Sequence, residues 1–194
     1  VRVLSRVSMM GDRNKKNPLT LKALLNGIPV LACHGDLGRE IAGIAYDSRA
    51  VRPGFLFVAL RGRLQDGHDF LEDAVSRGAA ALLSDRPFSP SVTKAAPYVV
   101  RVQAEDTRRV LSDISSRFYG EPYRRMNLIG ITGTNGKTTT CYILESILRE
   151  AGRRPGVIGT INYRVGQRHL DAPVTTPESL DLMRILHWMA DQQV

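Results

Sequence analysis

The stretch that decides the fold runs from Gly130 to Thr140 and reads Gly-Ile-Thr-Gly-Thr-Asn-Gly-Lys-Thr-Thr-Thr. It follows an apolar run that begins at Met126, and apolar residues at helical spacing resume from Tyr142. A strand that turns through glycines into Lys-Thr and then into a helix is typical of a loop that wraps nucleotide phosphates. The stretch therefore predicts a nucleotide triphosphate, ATP first, as the ligand.

Each type of residue in this loop has a physical role. Glycines permit positive φ, so the backbone amides can close on phosphate oxygens. A lysine ammonium can reach the outer phosphates, and a threonine hydroxyl suits a Mg2+ ion that bridges them. We predict Lys137 as the catalytic residue and Thr138 as the metal ligand. The predicted ATP site consists of Gly133, Thr134, Asn135, Gly136, Lys137, Thr138 and Thr139.

One position departs from the strict G-x-x-x-x-G-K-[ST] pattern, because Ile131 stands where that pattern has its first glycine. The loop is therefore a variant form. The alternative interpretation is an ordinary strand-to-helix turn with a solvated lysine.

Composition bounds the class of protein. The 194 residues are 43% hydrophobic and 24% charged, which predicts a soluble globular chain of one or two domains. No apolar run is long enough to cross a membrane and no signal-peptide core follows the basic N-terminus, so we expect a cytoplasmic protein with no membrane partner. Cys33 and Cys141 lie far apart in sequence and are predicted to be free thiols.

The net charge of +8 raises the question whether the protein binds nucleic acid. Much of the excess lies in residues 1–17, which lack apolar periodicity and are predicted to form a mobile basic tail. No basic stripe interleaved with aromatic residues is present, so we expect no nucleic-acid partner. Salt-sensitive DNA binding that outcompetes ATP would favour the opposite conclusion.

The first block of the chain, residues 18–104, is predicted to be a small α/β domain. Predicted strands cover residues 41–46, 55–60, 79–83 and 98–102, predicted helices cover 19–25 and 70–77, and a Pro/Ser-rich loop covers 87–97. Asp66-Gly67 predicts a turn that leaves His68 at the surface, and Asp47-Ser48-Arg49 is consistent with a side-chain-capped turn. A helix over 105–119 is predicted to connect this block to the next.

The second block, residues 120–194, is predicted to begin a doubly wound parallel-sheet ATPase domain. Its first strand covers 128–132, the phosphate-loop helix follows, and a strand over 157–160 is expected to pair parallel to the first. A last helix covers 180–189, with Thr176 before Pro177 as its predicted cap. The predicted fold class is therefore α/β, with an incomplete second sheet that leaves an apolar face without a partner layer.

Several groups of residues carry a family resemblance. They are Tyr46-Asp47-Ser48-Arg49, the run from Pro53 to Gly62, Asp66-Gly67-His68-Asp69-Phe70 and the loop from Gly133 to Thr139. These resemble the first two domains of Mur ligases, in the same order over about residues 19–194, including the variant form of the loop. Within that family, Gly159-Thr160 followed by Thr175-Thr176-Pro177-Glu178 is similar to the ligases that add the third, diamino residue of the peptidoglycan stem.

The resemblance implies an ATP-dependent ligase that joins an acid to an amino acid. ATP would phosphorylate the terminal carboxylate of UDP-N-acetylmuramoyl-L-Ala-D-Glu, and the amine of meso-diaminopimelate or L-lysine would attack the acyl phosphate. By carry-over, Ser48 would contact the UDP-sugar substrate, and Thr175 and Thr176 would bind its muramoyl-peptide part. Val174 stands where the family often has asparagine. A monomer is expected.

Two alternatives stay open. The ligase that adds D-Ala-D-Ala shares the Asp-x-Arg and Asp-Gly-His signatures, but usually has an Asn-rich stretch in place of Thr-Thr-Pro-Glu. A stand-alone nucleotide-binding module would bind substrate without turnover. The family's third domain, its acidic metal ligand and its completed sheet do not fit before Val194. We therefore expect this chain to be part of a longer enzyme and to be inactive in ligation by itself.

Overall fold

The computed structural model describes residues 19–62, 65–171 and 176–194. The predicted basic tail at 1–17 and the predicted substrate residue Thr175 fall outside these ranges. The chain divides into two compact units, the first ending at Phe118 and the second beginning its described part at Tyr119. Each unit is described separately below.

The first unit is built from short strands that alternate with helices. Its strands are β1 Leu19–Thr20, β2 Ala32–His34, β3 Glu40–Ile41, β4 Gly43–Ala45, β5 Phe55–Val58, β6 Ala81–Ser84 and β7 Val100–Gln103. Its helices are α1 Leu21–Leu25, α2 Leu71–Ser76, α3 Pro90–Ala95 and α4 Thr107–Phe118, and the 3-10 helices Ser48–Ala50 and Gly67–Phe70 follow β4 and β5.

The main sheet of this unit has, within the described residues, the strand order β2-β7-β6-β5-β4. Strands β4 to β7 are parallel, with Ala45 opposite Phe57 and Val58 opposite Leu83, whereas β2 runs antiparallel to β7. β1 and β3 form a separate antiparallel pair. Parallel strands end at the same edge, so the segments that follow β4, β5, β6 and β7 share one edge of the sheet. The predicted α/β class is confirmed by this arrangement.

Both faces of the sheet are buried. Ala45, Phe57 and Leu82 point to one side, where they pack with buried residues of α2 and α3. Leu56 and Leu83 point to the other side and are only 1% and 0% exposed, so a second layer must cover them. Helices α1 and α4 contact each other and bury apolar residues.

The predicted helix over 105–119 is confirmed as α4, but other elements of this unit differ from the sequence prediction. The predicted loop at 87–97 contains α3, because Ser89 accepts a hydrogen bond from the Val92 amide at 3.3 Å and Pro90 stands at the helix start. The predicted strand 41–46 is split at Ala42 between β3 and β4. Strand β2 was not predicted, because three residues carry no measurable alternation.

The second unit contains α5 Lys137–Glu150, β8 Gly156–Ile158, β9 Asn162–Val165, β10 Arg168–Asp171, α6 Ser179–Asp191 and a 3-10 helix at Pro122–Arg125. Its strands follow the order β10-β9-β8 and both pairs are antiparallel. The hairpin between β9 and β10 turns at Gly166-Gln167, with Gly166 at φ +56°. Glycine at the first position of a two-residue turn is a hairpin signal that the sequence prediction missed.

Three predictions for this unit are wrong. Residues 128–132 form no strand with any described residue, and β8 pairs antiparallel with β9 instead of parallel with that segment. A strand exists only where a neighbour accepts its ladder hydrogen bonds, and Leu128 and Ile129 are 59% and 60% exposed. The N-cap of α6 is Glu178, whose side chain accepts a hydrogen bond from the Ser179 amide. The predicted N-cap at Thr176 is therefore also wrong.

A half-open, mainly apolar pocket of about 630 Å³ lies in this unit. Its lining comes from the segment 126–131, α5, β8 and α6, and includes Ile129, Leu144, Leu148 and Val157. On α5, Tyr142, Ile143 and Ile147 are 43%, 57% and 58% exposed, so part of the apolar surface of this helix is uncovered.

A buried ion pair joins α5 to the hairpin. Glu145 is 6% exposed, and its carboxylate accepts three hydrogen bonds from the Arg164 guanidinium on β9, one of them at 3.0 Å from Nε to Oε2. The same guanidinium lies 4.3 Å from the ring centre of Tyr142, and Arg149 donates to Oε1 of Glu145 at 3.1 Å. The Glu145 carboxylate raises the pKa of Arg164 and keeps it charged.

We expect Phe57→Ala to lower the free energy of unfolding of the first unit by about 3–5 kcal/mol, because truncation of a buried aromatic residue leaves a cavity. Phe57 is 0% exposed in the centre of the sheet. Urea denaturation followed by circular dichroism measures the effect. Tyr98→Ala is the matched control, because Tyr98 is 85% exposed. Equal effects of the two variants would contradict the assigned core.

We expect Glu145→Ala to destabilise the second unit by about 3 kcal/mol, because Arg164 would stay buried without its counter-charge. Hydrogen exchange of the α5 amides measures this locally. Glu150→Ala, at the exposed end of the same helix, is the control and should leave the exchange rates nearly unchanged. Similar hydrogen-exchange rates of the α5 amides in both variants would show that the ion pair between Glu145 and Arg164 does not stabilise α5.

Candidate functional site

The phosphate loop, residues 130–136, leads directly into α5. Gly136 has φ +75° and is the N-cap of α5, and Gly133 has φ +152°. A Cβ on Gly136 would meet nothing within 4 Å, so the need for glycine there comes from its backbone conformation and not from lack of space. The loop therefore takes the backbone shape that the two glycines predicted.

The start of α5 is open to an anion. The first intrahelical bond runs from the Thr140 amide to the Gly136 carbonyl at 2.9 Å, so the amides before Thr140 have no acceptor inside the helix. No side chain of the described residues caps this turn. Free amides and the positive end of the helix dipole favour a negatively charged group at this place.

The Lys137 ammonium lies over the same loop. Its Nζ donates a hydrogen bond to the Gly133 carbonyl at 2.5 Å, which folds the side chain back across the turn. Lys137 is half-buried, whereas the other polar side chains of the loop and first turn, those of Thr134, Asn135, Thr138 and Thr139, are exposed. A bound phosphate could replace the carbonyl as the partner of Nζ, and solutes can reach the site.

The Thr138 hydroxyl fits a limited role toward Mg2+. It lies in the first turn of α5, next to Lys137, and is exposed. Mg2+ is usually held by one or two protein oxygens and takes its remaining oxygens from phosphates and water. One hydroxyl beside a phosphate loop is consistent with that pattern. No cluster of three or more metal-binding side chains occurs among the described residues.

Ser48 occupies a different place, at the carboxyl edge of the sheet in the first unit. It begins the 3-10 helix after β4 and is 5% exposed. The Asp47 carboxylate accepts a hydrogen bond from the Arg49 amide at 3.0 Å and forms an ion pair with the Arg49 guanidinium at 2.7 Å. These contacts with Arg49 lower the pKa of Asp47. The capped turn expected from Asp-Ser-Arg is therefore present.

The Ser48 hydroxyl also has a partner inside the fold. The pKa of the Asp73 carboxyl on α2 is lowered, mainly by a hydrogen bond from the Arg77 guanidinium and also by a hydrogen bond from Ser48. Ser48 thus has a structural role whether or not it contacts a substrate.

His68 is not at the surface, so that prediction is wrong. Its side chain is 8% exposed and lies between two carboxylates, with Nδ1 2.5 Å from Asp66 Oδ1 and Nε2 2.9 Å from Asp85 Oδ1. The contact with Asp85 is close but is not a hydrogen bond. Asp66 follows β5 and Asp85 follows the adjacent parallel strand β6, a pattern that could have indicated their proximity.

The structure brings the loop glycines, Lys137 and Thr138 together. Thr176 also belongs to the second unit and is exposed, whereas Ser48 belongs to the first. No helix among the described residues combines the length and apolar character needed to cross a bilayer.

Comparison with known families matches both units. The family model described as the Mur ligase family, catalytic domain, matches residues 40–119, and the model described as the Mur ligase middle domain matches residues 131–194.

Curated relatives are similar over most of the chain. The UDP-N-acetylmuramoyl-L-alanyl-D-glutamate–2,6-diaminopimelate ligase of Geobacillus thermodenitrificans (strain NG80-2) is 44% identical over 91% of this chain and 35% of its own length. The protein of the same name from Solibacter usitatus (strain Ellin6076) is 48% identical over 75% of this chain and 28% of its own length. The chain thus spans about a third of the length of such relatives.

Solved structures agree with these matches. A UDP-N-acetylmuramoyl-L-alanyl-D-glutamate–2,6-diaminopimelate ligase gives a TM-score of 0.70 at 25% identity, over 91% of this chain and 34% of that one. The UDP-N-acetylmuramoylalanyl-D-glutamyl-2,6-diaminopimelate–D-alanyl-D-alanyl ligase from Acinetobacter baumannii gives 0.55 at 25% identity, over 88% of this chain and 33% of that one. With family models matching both of its units and these relatives in sequence and structure, the chain belongs to the Mur ligase family.

Proposed function

We propose that this chain contributes the ATP phosphate site and part of the UDP-substrate site of a ligase that adds 2,6-diaminopimelate to UDP-N-acetylmuramoyl-L-Ala-D-Glu. The observation that carries the proposal is the open N-terminus of α5, with the Lys137 ammonium folded over Gly133, in a chain of this family. The names of the curated relatives supply the substrate and the diamino acid.

Lys137 and the loop amides would act by electrostatic stabilisation. Phosphoryl transfer spreads negative charge over the transferred group, and preorganised donors lower the energy of that charge. In this proposal the backbone amides of residues 133–139 bind the phosphates, Lys137 contacts the outer phosphates, and the Thr138 hydroxyl provides one contact to Mg2+. ATP would supply the phosphoryl group that activates the substrate carboxylate toward the amine.

Ser48, Thr175 and Thr176 would hold the UDP-sugar substrate. Support for Ser48 comes from its place at the carboxyl edge of parallel strands, where ligands of α/β sheets usually bind. Support for Thr176 comes from its exposure in the second unit. The assignment of Thr175 rests on the family pattern alone.

The D-alanyl-D-alanine-adding ligase is a weaker candidate. Its solved relative has a TM-score of 0.55, below the 0.70 of the diaminopimelate ligase. The Thr-Thr-Pro-Glu sequence at 175–178 also favours the diaminopimelate ligase. A cytoplasmic location and a monomeric state stay predictions.

We expect Lys137→Ala to weaken binding of ATP with Mg2+ by about 10- to 100-fold, since a hydrogen bond to a charged group contributes roughly 1.5–3 kcal/mol. Isothermal titration calorimetry of the 194-residue chain measures the affinity. Lys94→Ala is the control, because Lys94 is an exposed lysine on α3 of the other unit. Equal affinity of the two variants would count against the phosphate role of Lys137.

We expect Ser48→Ala to weaken binding of UDP-N-acetylmuramoyl-L-Ala-D-Glu by about fivefold, the effect of losing roughly 1 kcal/mol of hydrogen-bond energy. Affinity and unfolding midpoint are measured on the same samples, because Ser48 also bonds Asp73. Asp73→Asn is the control, since it alters the structural partner and keeps the Ser48 hydroxyl. A lower midpoint with unchanged affinity would show that Ser48 is structural only.

A further inference from the structure

The hairpin of β9 and β10 packs against α6 in the second unit. Tyr163 and Val165 on β9 are 1% and 3% exposed, and they form one apolar cluster with Ile185 and Met189 of α6, which are 0% and 2% exposed. Closely packed side chains of this kind resist displacement. The hairpin is therefore held firmly in place by α6.

Arg164 lies on the other face of the same hairpin. Successive side chains of a strand point to opposite faces, and both neighbours of Arg164 on β9 face α6, so Arg164 faces away from it. Its guanidinium donates three hydrogen bonds to the Glu145 carboxylate on α5. A fourth hydrogen bond, 2.8 Å long, goes to the Asn162 side chain on the same strand and orients the guanidinium. The hairpin therefore holds α5 through a charged group of fixed direction.

Apolar packing holds α5 only weakly. Glu145 is the one buried residue of this helix, every residue of which lies in the described part of the chain. On the same face, Cys141, Leu144 and Leu148 are half-buried and line the pocket of about 630 Å³. Side chains beside open space lose packing contacts, whereas a guanidinium that binds a carboxylate through several hydrogen bonds fixes geometry. The position of α5 therefore depends mainly on the ion pair.

The position of α5 matters to any phosphate at its N-terminus. The open amides before Thr140 belong to the first turn of this helix, and Lys137 is its first residue. Glu145 lies about 12 Å further along the axis, at 1.5 Å per residue, so a helix tilt of about 10° around it displaces the N-terminus by roughly 2 Å. A displacement of that size breaks hydrogen bonds, which require donor–acceptor distances of about 2.7–3.2 Å.

We propose that Arg164 and Glu145 are positioning residues that set the affinity of the phosphate loop for the phosphates of ATP. The inference rests on the function proposed above and deepens it, because it concerns what holds the phosphate site in place. Both residues act through α5, which carries the open amides and Lys137.

The test measures the affinity of the 194-residue chain for ATP with Mg2+ by isothermal titration calorimetry. We expect Arg164→Lys to weaken binding about fivefold, because lysine keeps a charge beside Glu145 but lacks the rigid fork. Glu145→Gln, which keeps the shape and loses the charge, should weaken binding about tenfold. Glu150→Gln and Arg154→Lys are the matched controls, because both residues are exposed, and neither should change the affinity.

An apolar double variant, Glu145→Leu with Arg164→Met, separates positioning from folding. Apolar side chains can replace a buried ion pair without loss of stability, but their contacts have no preferred direction. We therefore expect an unfolding midpoint in urea close to that of the unmodified chain, with ATP affinity still about fivefold lower. Affinities are compared only where each variant is fully folded. Full ATP affinity in the folded double variant, or in folded Arg164→Lys, would overturn the inference.

Lys137→Ala distinguishes failure of this inference from failure of the proposed function. If Lys137→Ala weakens ATP binding and folded Arg164→Lys does not, the phosphate site stands and the positioning role is wrong. If the unmodified chain does not bind ATP with Mg2+, both are wrong.

Discussion

The parallel hydrogen-bonded ladder from β4 to β7 is the constraint on which the first unit depends. Its register places Ala45 beside Phe57 and Val58 beside Leu83, so both faces of the sheet become core. A slip of one residue would send Phe57 to the opposite face. The same ladder ends β4, β5 and β6 at one edge, and this is why Ser48, the turn after β5 and Asp85 all lie there.

The second unit depends on a more local constraint. Positive φ at Gly136 lets the chain enter α5 with its first amides open, and Lys137 folds over the turn within four residues of its acceptor. This loop geometry does not depend on a neighbouring strand. It is therefore present even though Leu128 and Ile129, just before the loop, are exposed and a pocket of about 630 Å³ lies beside them. The loop geometry and an exposed apolar face therefore coexist in the same unit.

Nearly buried polar side chains join segments that are distant in sequence in both units. Arg164 reaches Glu145 across 19 positions, and His68 reaches Asp85 across the β5–β6 crossover. Such pairs add little net stability over apolar packing, but breaking one leaves an uncompensated charge. They therefore restrict which arrangements of the elements are allowed. In the second unit this fixes the phosphate-loop helix against its hairpin.

The sequence by itself determined the features that depend on local patterns. Helical periodicity located α4 and α6, and glycine, lysine and threonine spacing located the phosphate loop, because backbone freedom and side-chain chemistry act over a few residues. Only the tertiary structure decided that β8 pairs with β9 instead of with residues 128–132, and that His68 is nearly buried. It also revealed the helix within residues 87–97 and the cap at Glu178. Pairing and burial depend on groups far apart in the chain, and no local pattern specifies which of them meet.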